Sequence, residues 1–424
     1  MKKLTSVLLC MTIVMSLFAA GSQETVAKTE TKAAGPVELK FWVRTNDSFI
    51  DAQVAKFMAE NPDIKVTVEA VGAGYGDLRK KFTLGIQGGE LPDMAIAGWS
   101  GIGTLYDAGA IVDIATIPGN EALMSDIVGS FSGRCRYNGA VVAVPYQCSA
   151  PVVYYNKTLL QKAGVAVPST FAELTEAAAK CVQKDKNGNT TVYGLNTAAD
   201  TNWYIIPAIY NFGGTFFDDK GNININTEAA LEVYKWWDDV VKRGIMPANQ
   251  HKTAEEDFAN GTLAFYFTSC ASYGEIKPAA KAHGFEAGIM KFPSYKNHII
   301  NLGGNGLIVF TKDATKQAAC AKLMAFLLNA PQLRAVVDKG FLPVTNSMLN
   351  SDYVKQLIAD DANMKVIYDQ VADIGIFIQH PAYAKTTTEL ATIASKIESY
   401  PDSDIKSLLK ASQDVINDYM ADYK

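Results

Sequence analysis

The sequence has few cysteines and histidines and no excess of positive charge. Its 424 residues include 6 cysteines and 4 histidines, and the formal net charge is −5. A negative net charge argues against a surface for nucleic acid or for a polybasic membrane patch. A chain of this length can bury a core without disulfides, so we interpret the cysteines as buried thiols. Only Cys148 and Cys270 fall in segments that we expect beside one binding cleft, and their pairing stays open.

The sequence also lacks the common motifs of enzymes and metal sites. It has no His-Glu-x-x-His motif, and Gly98-Trp99-Ser100-Gly101-Ile102 lacks the last glycine of the hydrolase motif Gly-x-Ser-x-Gly. The glycine-rich turn at 71–77 has Asp77 where a dinucleotide fingerprint needs its third glycine. We therefore expect no catalysis, no cofactor and no bound metal. Paired carboxylates leave no local motif, so a secreted glycan-active enzyme remains the alternative.

Long hydrophobic runs are absent except at the N-terminus. Lys2 and Lys3 precede an apolar run at 7–18 and then small residues, which is typical of a cleaved signal peptide over 1–21. The run is shorter than the ~20 apolar residues that a membrane span needs. Cys10 lies inside it without the small residue that normally precedes a lipidated cysteine, so we predict no lipid anchor. Export to a periplasm follows from this interpretation.

After a flexible leader predicted at 22–36, strand-like and helix-like patterns alternate. Residues 37–41 and 64–68 alternate between apolar and polar, while apolar positions within 50–58 and 78–86 recur at helical spacing. This order predicts βαβ units and a largely parallel sheet. The length of the chain predicts two domains of ordinary size.

Three later segments carry clear local signals. Thr170 and Glu173 have the spacing of a capping box at the start of a helix. Residues 263–267 form an apolar run typical of a buried strand, and we interpret 303–306 as a glycine-rich turn before a strand at 307–310. The C-terminal third is predicted to be helical.

The segment at 145–157 is interpreted as a hinge. Pro145 and Pro151 fix the backbone and lack an amide donor, which predicts a polar loop that crosses between two bodies. A strand is predicted to resume at 152–155. We therefore expect two lobes that face each other, with a ligand beside the crossing.

Aromatic and small polar residues follow several of the predicted strands. Tyr75 lies in the glycine-rich turn, Trp99 follows the third strand, and Ser269 follows the strand at 263–267. Aromatic faces stack on sugar rings, and small polar groups bind sugar hydroxyls. This composition indicates binding rather than catalysis.

Several segments together resemble the extracellular solute-binding proteins of ABC importers, the family of the maltose- and glycerol-3-phosphate-binding proteins. The segments are 61–66, 88–93, 153–157 with Ala163-Gly164, Gly303-Gly304, and 340–344. Together these segments extend over nearly the whole predicted mature chain, and it is their combined order and spacing that carries the resemblance. The resemblance implies the two-lobed α/β fold of type II periplasmic binding proteins, with a ligand cleft and three hinge crossings. We assign 37–148 and 298–327 to the first lobe, and 149–297 and 328–424 to the second.

The resemblance also implies a set of ligand-binding residues. The residues implied directly are Tyr75, Trp99, Ser149, Trp203, Ser269, Gly303, Gly304 and Phe341. Arg44, Asn46, Cys148, Asn305 and Tyr383 complete the predicted set.

Two positions depart from the pattern of the glycerol-3-phosphate binders. Trp99 stands where that subfamily has an acidic residue, and Ala384 where it has an arginine that pairs with phosphate. An arginine fork is the usual means of holding a phosphate, so its loss favours a neutral mono- or oligosaccharide. Binding of glycerol 3-phosphate or another polyol derivative stays open, since Arg44 or another cation could replace the fork. The implied partners are the sugar and a membrane permease, or a receptor for sensing, and we expect the chain to act as a monomer.

Overall fold

The computed structural model describes residues 35–45 and 48–422. The predicted signal peptide, nearly all of the predicted leader and the candidate residue Asn46 lie outside the described residues. The strands are β1 (Val37–Val43), β2 (Ile64–Ala70), β3 (Met94–Gly98), β4 (Arg136–Tyr137), β5 (Ala140–Val141), β6 (Val144–Ser149), β7 (Pro151–Asn156), β8 (Gln183–Lys184), β9 (Thr190–Thr197), β10 (Leu263–Ser269), β11 (Ala287–Lys291), β12 (Ile300–Asn301), β13 (Gly303–Val309) and β14 (Ile374–Ile376). The α-helices are α1 (Ser48–Glu60), α2 (Tyr75–Gly88), α3 (Ile102–Asp107), α4 (Glu121–Asp126), α5 (Gly129–Ser132), α6 (Lys157–Ala163), α7 (Phe171–Cys181), α8 (Asn202–Asn211), α9 (Glu228–Lys242), α10 (Ala254–Ala259), α11 (Tyr273–Ala282), α12 (Ala314–Leu327), α13 (Ala330–Val337), α14 (Asn346–Leu349), α15 (Asp352–Asp360), α16 (Ala362–Asp369), α17 (Tyr383–Ser399) and α18 (Ile405–Asp422).

Two five-stranded sheets form the centre of the fold. The first has the order β2-β1-β3-β13-β6, and the second has the order β11-β7-β10-β9-β8. β1 is parallel to β2 and β3, as the sequence predicts. β13 is antiparallel to both of its neighbours, and in the second sheet β9 and β10 are parallel while the other pairs are antiparallel. The prediction of a largely parallel sheet is therefore wrong, because each sheet receives strands from distant segments that local periodicity does not reveal.

The chain passes between the two sheets more than once. It leaves the first sheet at the end of β6, enters the second at β7, and returns between β11 and β13. Later, the carbonyl of Gln332 on α13 accepts a hydrogen bond from Gln53 on α1, at 3.2 Å. Asn363 on α16 instead accepts one from the backbone amide of Ile289 on β11, at 3.0 Å. The chain therefore moves from the first sheet's helices to the second sheet between α13 and α16.

The segment after Pro145 is a strand and not the loop predicted from its prolines. Only Ala150 separates β6 from β7, and both strands are buried. Pro145 pairs with Gly306, and Pro151 begins β7 at the position that pairs with Ser269. Pro151 is tolerated because the first residue of a strand can lack a ladder hydrogen bond. The crossing is therefore short and extended.

The glycines at 303–306 also form a strand rather than the predicted turn. Gly304 has a φ of +89°, and a β-carbon there would lie 1.8 Å from the carbonyl oxygen of Gln147. The register between β13 and β6 shifts between Gly304 and Gly306. Glycine is required here because two backbones approach more closely than any side chain permits.

Helices cover the sheets, and several of their local signals match the sequence. The capping box is confirmed: Thr170 Oγ1 accepts from the amide of Glu173 at 3.2 Å, and Glu173 Oε2 accepts from the amide of Thr170 at 3.1 Å. A hydrogen bond also joins two of these helices: the Tyr234 hydroxyl on α9 donates to the carbonyl of Leu390 on α17, at 2.8 Å. In the described part of the chain, no helix combines the length and the apolar character needed to cross a membrane.

Candidate ligand-binding cleft

A cleft of about 690 Å³ opens where elements from both sheets end. The first sheet contributes the ends of β1, β3 and β6 and the start of β13, and the second sheet contributes the end of β10. The start of helix α2 also lines the cleft. The first turns of α8 and α17 complete the walls. The lining residues are Arg44, Gly74, Tyr75, Gly76, Arg79, Gly98, Trp99, Ser100, Arg134, Ser149, Asp200, Asn202, Trp203, Ser269, Ala271, Ser272, Glu275, Leu302, Gly303, Gly304, Phe341, Tyr383 and Thr387.

Most of the residues that the sequence predicts to bind ligand lie together in this cleft. They are Arg44, Tyr75, Trp99, Ser149, Trp203, Ser269, Gly303, Gly304, Phe341 and Tyr383. Cys148 and Asn305 do not line it, because both side chains are fully buried behind the wall. Asn46 belongs to the undescribed residues. Whether the lining residues contact a ligand stays a prediction.

Tyr75 is fixed at the first helix of the cleft by a buried polar network. Asn305 Nδ2 donates to the Tyr75 hydroxyl and to Gln147 Oε1, each at 2.9 Å. The Tyr75 ring lies against Gly98, where a β-carbon would be 2.7 Å from Tyr75 Cγ. The Arg44 guanidinium lies over the Tyr75 ring, with Cζ 4.6 Å from its centroid. Asn305 therefore acts as a support for the wall.

Trp99 is less accessible than the sequence suggests. Its side chain is only 6% exposed, and Nε1 donates to the carbonyl of Gly303 at 3.0 Å. Buried in this way, the indole links β3 to the start of β13. It offers the cleft little of its surface, although it belongs to the lining.

Trp203 is half-buried and lines the cleft at the start of α8. A β-carbon added at Gly303 would be 2.4 Å from Trp203 Cζ2 and 2.8 Å from Ser149 Oγ. The carbonyl of Trp203 accepts a hydrogen bond from Asn301 Nδ2 at 3.3 Å. The indole thus covers the start of β13 beside the Ser149 hydroxyl, which is a suitable place for an aromatic face and a polar group to meet one solute.

Ser269 caps the short helical turn after β10. Its Oγ accepts from the amide of Ala271 at 3.1 Å, and its carbonyl accepts from the Tyr154 hydroxyl at 3.0 Å. Behind it, Cys270 Sγ accepts from the amide of Ala150 at 3.2 Å. Burial raises the pKa of the Cys270 thiol to about 12. A thiol kept protonated in this way is a packing group and not a nucleophile.

Cys148 and Cys270 are both free thiols in this structure. Burial also raises the pKa of the Cys148 thiol, with the nearby Cys135 as a smaller cause. Among the described residues, no three His, Cys, Asp or Glu side chains are grouped so that they could hold a metal ion.

Sequence reasoning predicted Arg44 but missed the other charged residues of the cleft. Arg79, Arg134, Asp200 and Glu275 all line it. Arg79 Nη1 donates to Ser100 Oγ at 3.0 Å, and burial lowers the pKa of this guanidinium from its usual value. Its position four residues after Tyr75 on one helix face could have indicated it. No local signal could have indicated Arg134, since its short segment carries no motif.

Comparison with known proteins identifies the family. Residues 52–366 match the model of the bacterial extracellular solute-binding proteins. The chain belongs to this family. The match covers every strand of the two five-stranded sheets except β1, and most of the segments that line the cleft.

Two relatives and one solved structure illustrate the similarity. The chain is 27% identical over 343 residues to the sn-glycerol-3-phosphate-binding periplasmic protein UgpB of Rhizobium meliloti, covering 74% of this chain and 76% of that protein. It is 26% identical over 349 residues to the maltooligosaccharide ABC transporter solute-binding lipoprotein of Streptococcus pneumoniae, covering 80% and 79%. The crystal structure of Mycobacterium tuberculosis UgpB in complex with glycerophosphocholine superposes with a TM-score of 0.80 at 20% identity, covering 92% of this chain and 99% of that one. The predicted two-lobed fold is thereby confirmed.

Proposed function

We propose that this solute-binding protein captures a carbohydrate in the cleft and delivers it to a membrane ABC permease without altering it. The cleft carries this proposal, because aromatic and small polar side chains from elements of both sheets face one volume. A volume of about 690 Å³ is within the usual range for small-molecule sites. A solute that touches both walls would draw them together, which is the usual mechanism of hinge closure.

The remaining sequence predictions complete this proposal. They are export to the periplasm through a cleaved signal peptide, action as a monomer, and a neutral sugar as the ligand. The prediction that the ligand is neutral depends only on Ala384, which stands where the glycerol-3-phosphate binders have an arginine that pairs with phosphate. The contacts behind the lining residues support the proposed sugar site. Asn305 donates a hydrogen bond to the Tyr75 hydroxyl, Gly98 leaves room for the Tyr75 ring, and Gly303 leaves room for the Trp203 indole.

A glycerol phosphate derivative is the second candidate ligand. One observation favours it: three arginines, Arg44, Arg79 and Arg134, line the cleft. The Rhizobium meliloti relative is named for binding sn-glycerol 3-phosphate, which agrees with this alternative.

Thermal unfolding with and without candidate solutes tests the proposal. Carbohydrates that bind the folded chain should raise its melting temperature in a concentration-dependent manner. Chromatography of the same mixtures should return each stabilising sugar unchanged after prolonged incubation. Turnover of a stabilising sugar would instead support the glycan-active enzyme, and the absence of any stabilising carbohydrate would refute a carbohydrate-binding role.

A further inference from the structure

Arg134 is a buried guanidinium on the wall of the cleft. Its side chain is 1% exposed, and Nη1 donates to the carbonyl of Ile378 at 3.1 Å. Its buried Nε has no hydrogen-bond partner among the described residues. A guanidinium has five N–H donors, so this arrangement leaves donor capacity beside the cleft.

Arg134 also has no acidic partner in the described part of the chain. Within residues 35–45 and 48–422, no carboxylate oxygen lies within 4.0 Å of its nitrogens. A buried charge without a counter-charge is strongly unfavourable. The acidic lining residues Asp200 and Glu275 are exposed to solvent, which screens their fields.

The surroundings of Arg134 favour an anion further. The Cζ atom of Arg134 lies 5.4 Å from the centroid of the Tyr383 ring. Tyr383 begins the 17-residue helix α17, and the start of a helix carries partial positive charge. Thr387, one turn later on α17, also lines the cleft. Two independent sources of positive potential therefore meet here.

We propose that Arg134 binds an anionic group of the solute, a carboxylate or a phosphate, at the α17 end of the cleft. This inference rests on the capture role in the proposed function, and it takes an acidic carbohydrate or polyol as the ligand in place of the neutral sugar proposed there. It replaces the prediction of a neutral ligand, which considered position 384 and could not place Arg134 next to Tyr383. The ligand anion would supply the counter-charge that the described residues lack.

Arg134 also has contacts that could be purely structural. Its carbonyl accepts from Gln379 Nε2 at 2.7 Å, and its Nη1 bonds Ile378, so it joins two segments that are far apart in sequence. A structural role would affect neutral and acidic ligands equally. A test must therefore compare the two kinds of ligand on one protein.

Calorimetric titration of the full chain with three sets of solutes makes this comparison. The neutral set is maltotriose, xylotriose and galactotriose; the carboxylate set is trigalacturonate and aldotriouronic acid; the phosphate set is sugar phosphates and glycerol 3-phosphate. We expect at least one acidic solute to bind more tightly than its neutral counterpart, with an affinity that falls as salt is raised. The carboxylate and phosphate sets identify which anion is used.

Three variants then assign the preference to Arg134. Arg134→Gln should lower the affinity for the acidic solute by at least about tenfold, which is the loss expected for one charge-assisted hydrogen bond. It should change the affinity for neutral solutes far less. Arg134→Lys should recover part of the preference. Arg136→Gln removes the same charge from an exposed position two residues away and should change neither.

The outcomes separate this inference from the proposed function. Binding of neutral sugars with no gain from an acidic group would overturn the inference and leave the proposed function intact. If Arg134→Gln lowers the affinities for neutral and acidic solutes equally, Arg134 has a structural role and the inference is wrong. If Arg134→Gln fails to fold, the unmodified chain still shows whether acidic solutes are preferred, and an unchanged preference in Arg134→Lys would overturn the role of Arg134. Binding by no member of any set would refute the proposed function together with the inference.

Discussion

The indole of Trp203 lies directly over the α-carbon of Gly303, so closely that a β-carbon at Gly303 would be 2.4 Å from Trp203 Cζ2. The two residues are 100 positions apart in the sequence, and both line the cleft. Their contact brings the start of α8 onto the first strand position of β13. This close approach makes Gly303 a test of the binding site.

Gly303→Ala should weaken solute binding, because the new methyl group would displace the indole and crowd Ser149 Oγ. We expect a loss of at least about fivefold, since overpacking typically costs about 1–3 kcal/mol. Titration with a solute that binds the unmodified chain measures it. Gly88→Ala is the matched control, because a β-carbon at Gly88 would meet nothing within 4 Å. Unchanged affinity in Gly303→Ala would show that Trp203 does not shape the site.

Gly304→Ala should act on folding instead of on binding alone. Its β-carbon would lie 1.8 Å from the carbonyl oxygen of Gln147, and its φ of +89° is unfavourable for alanine. The expected decrease in the free energy of unfolding is roughly 2 to 4 kcal/mol, from backbone strain and overpacking together. We expect this decrease to be larger than that in Gly303→Ala, and urea unfolding of the two variants measures both. A smaller decrease for Gly304→Ala would contradict the prediction.

The two tryptophans of the cleft should respond differently to truncation. Trp203 is half-buried, so Trp203→Ala should cost about 2 kcal/mol in binding and less in stability. Trp99 is 6% exposed and bonded to Gly303, so Trp99→Ala should lower the free energy of unfolding by about 3 to 5 kcal/mol. Calorimetry and chemical unfolding of both variants separate the two roles. Equal effects of the two variants on binding would contradict the difference that their burial predicts.

Stability should decrease in acid through Glu398. Burial alone would raise the pKa of this carboxyl, but hydrogen bonds from His251, the Asn249 amide and Trp237 together hold it below its ordinary value of 4.5. The contribution of this group to stability is therefore complete above pH 4.5 and is lost as the pH falls through the lower folded-state pKa.

Replacing the carboxylate tests this assignment. Glu398→Gln should lower the free energy of unfolding at neutral pH by about 1 to 3 kcal/mol and flatten its decline below the ordinary glutamate range. Glu60→Gln, at an exposed position on α1, should leave the profile unchanged. The same decline in Glu398→Gln and in the unmodified chain would assign the pH dependence to other groups.

A bound solute should also make the molecule more compact. The solute would contact Tyr75 on one side and Trp203 and Ser269 on the other, and its differential affinity for the closed form would shift the equilibrium. Small-angle X-ray scattering should show a smaller radius of gyration at saturation. An unchanged radius with confirmed binding would place the whole site on one side of the cleft and remove the proposed closure.

The sequence alone determined those features whose interactions are local. The capping box of Thr170 and Glu173 and the first three strands with their helices follow from neighbours a few residues apart, so their patterns are visible in the chain. Ten of the residues predicted for the ligand set also line the cleft, because the family resemblance that implies them is carried by short segments whose order and spacing can be read in the chain.

Only the tertiary structure decided how distant segments meet. The antiparallel position of β13, the strand at Gly303 and Gly304, and the burial of Trp99 depend on pairings across more than a hundred residues. Arg134 entered the cleft for the same reason, since its neighbours Ile378 and Tyr383 are nearly 250 positions away. A side chain's exposure and electrostatic partners are properties of the packed chain, and no local pattern encodes them.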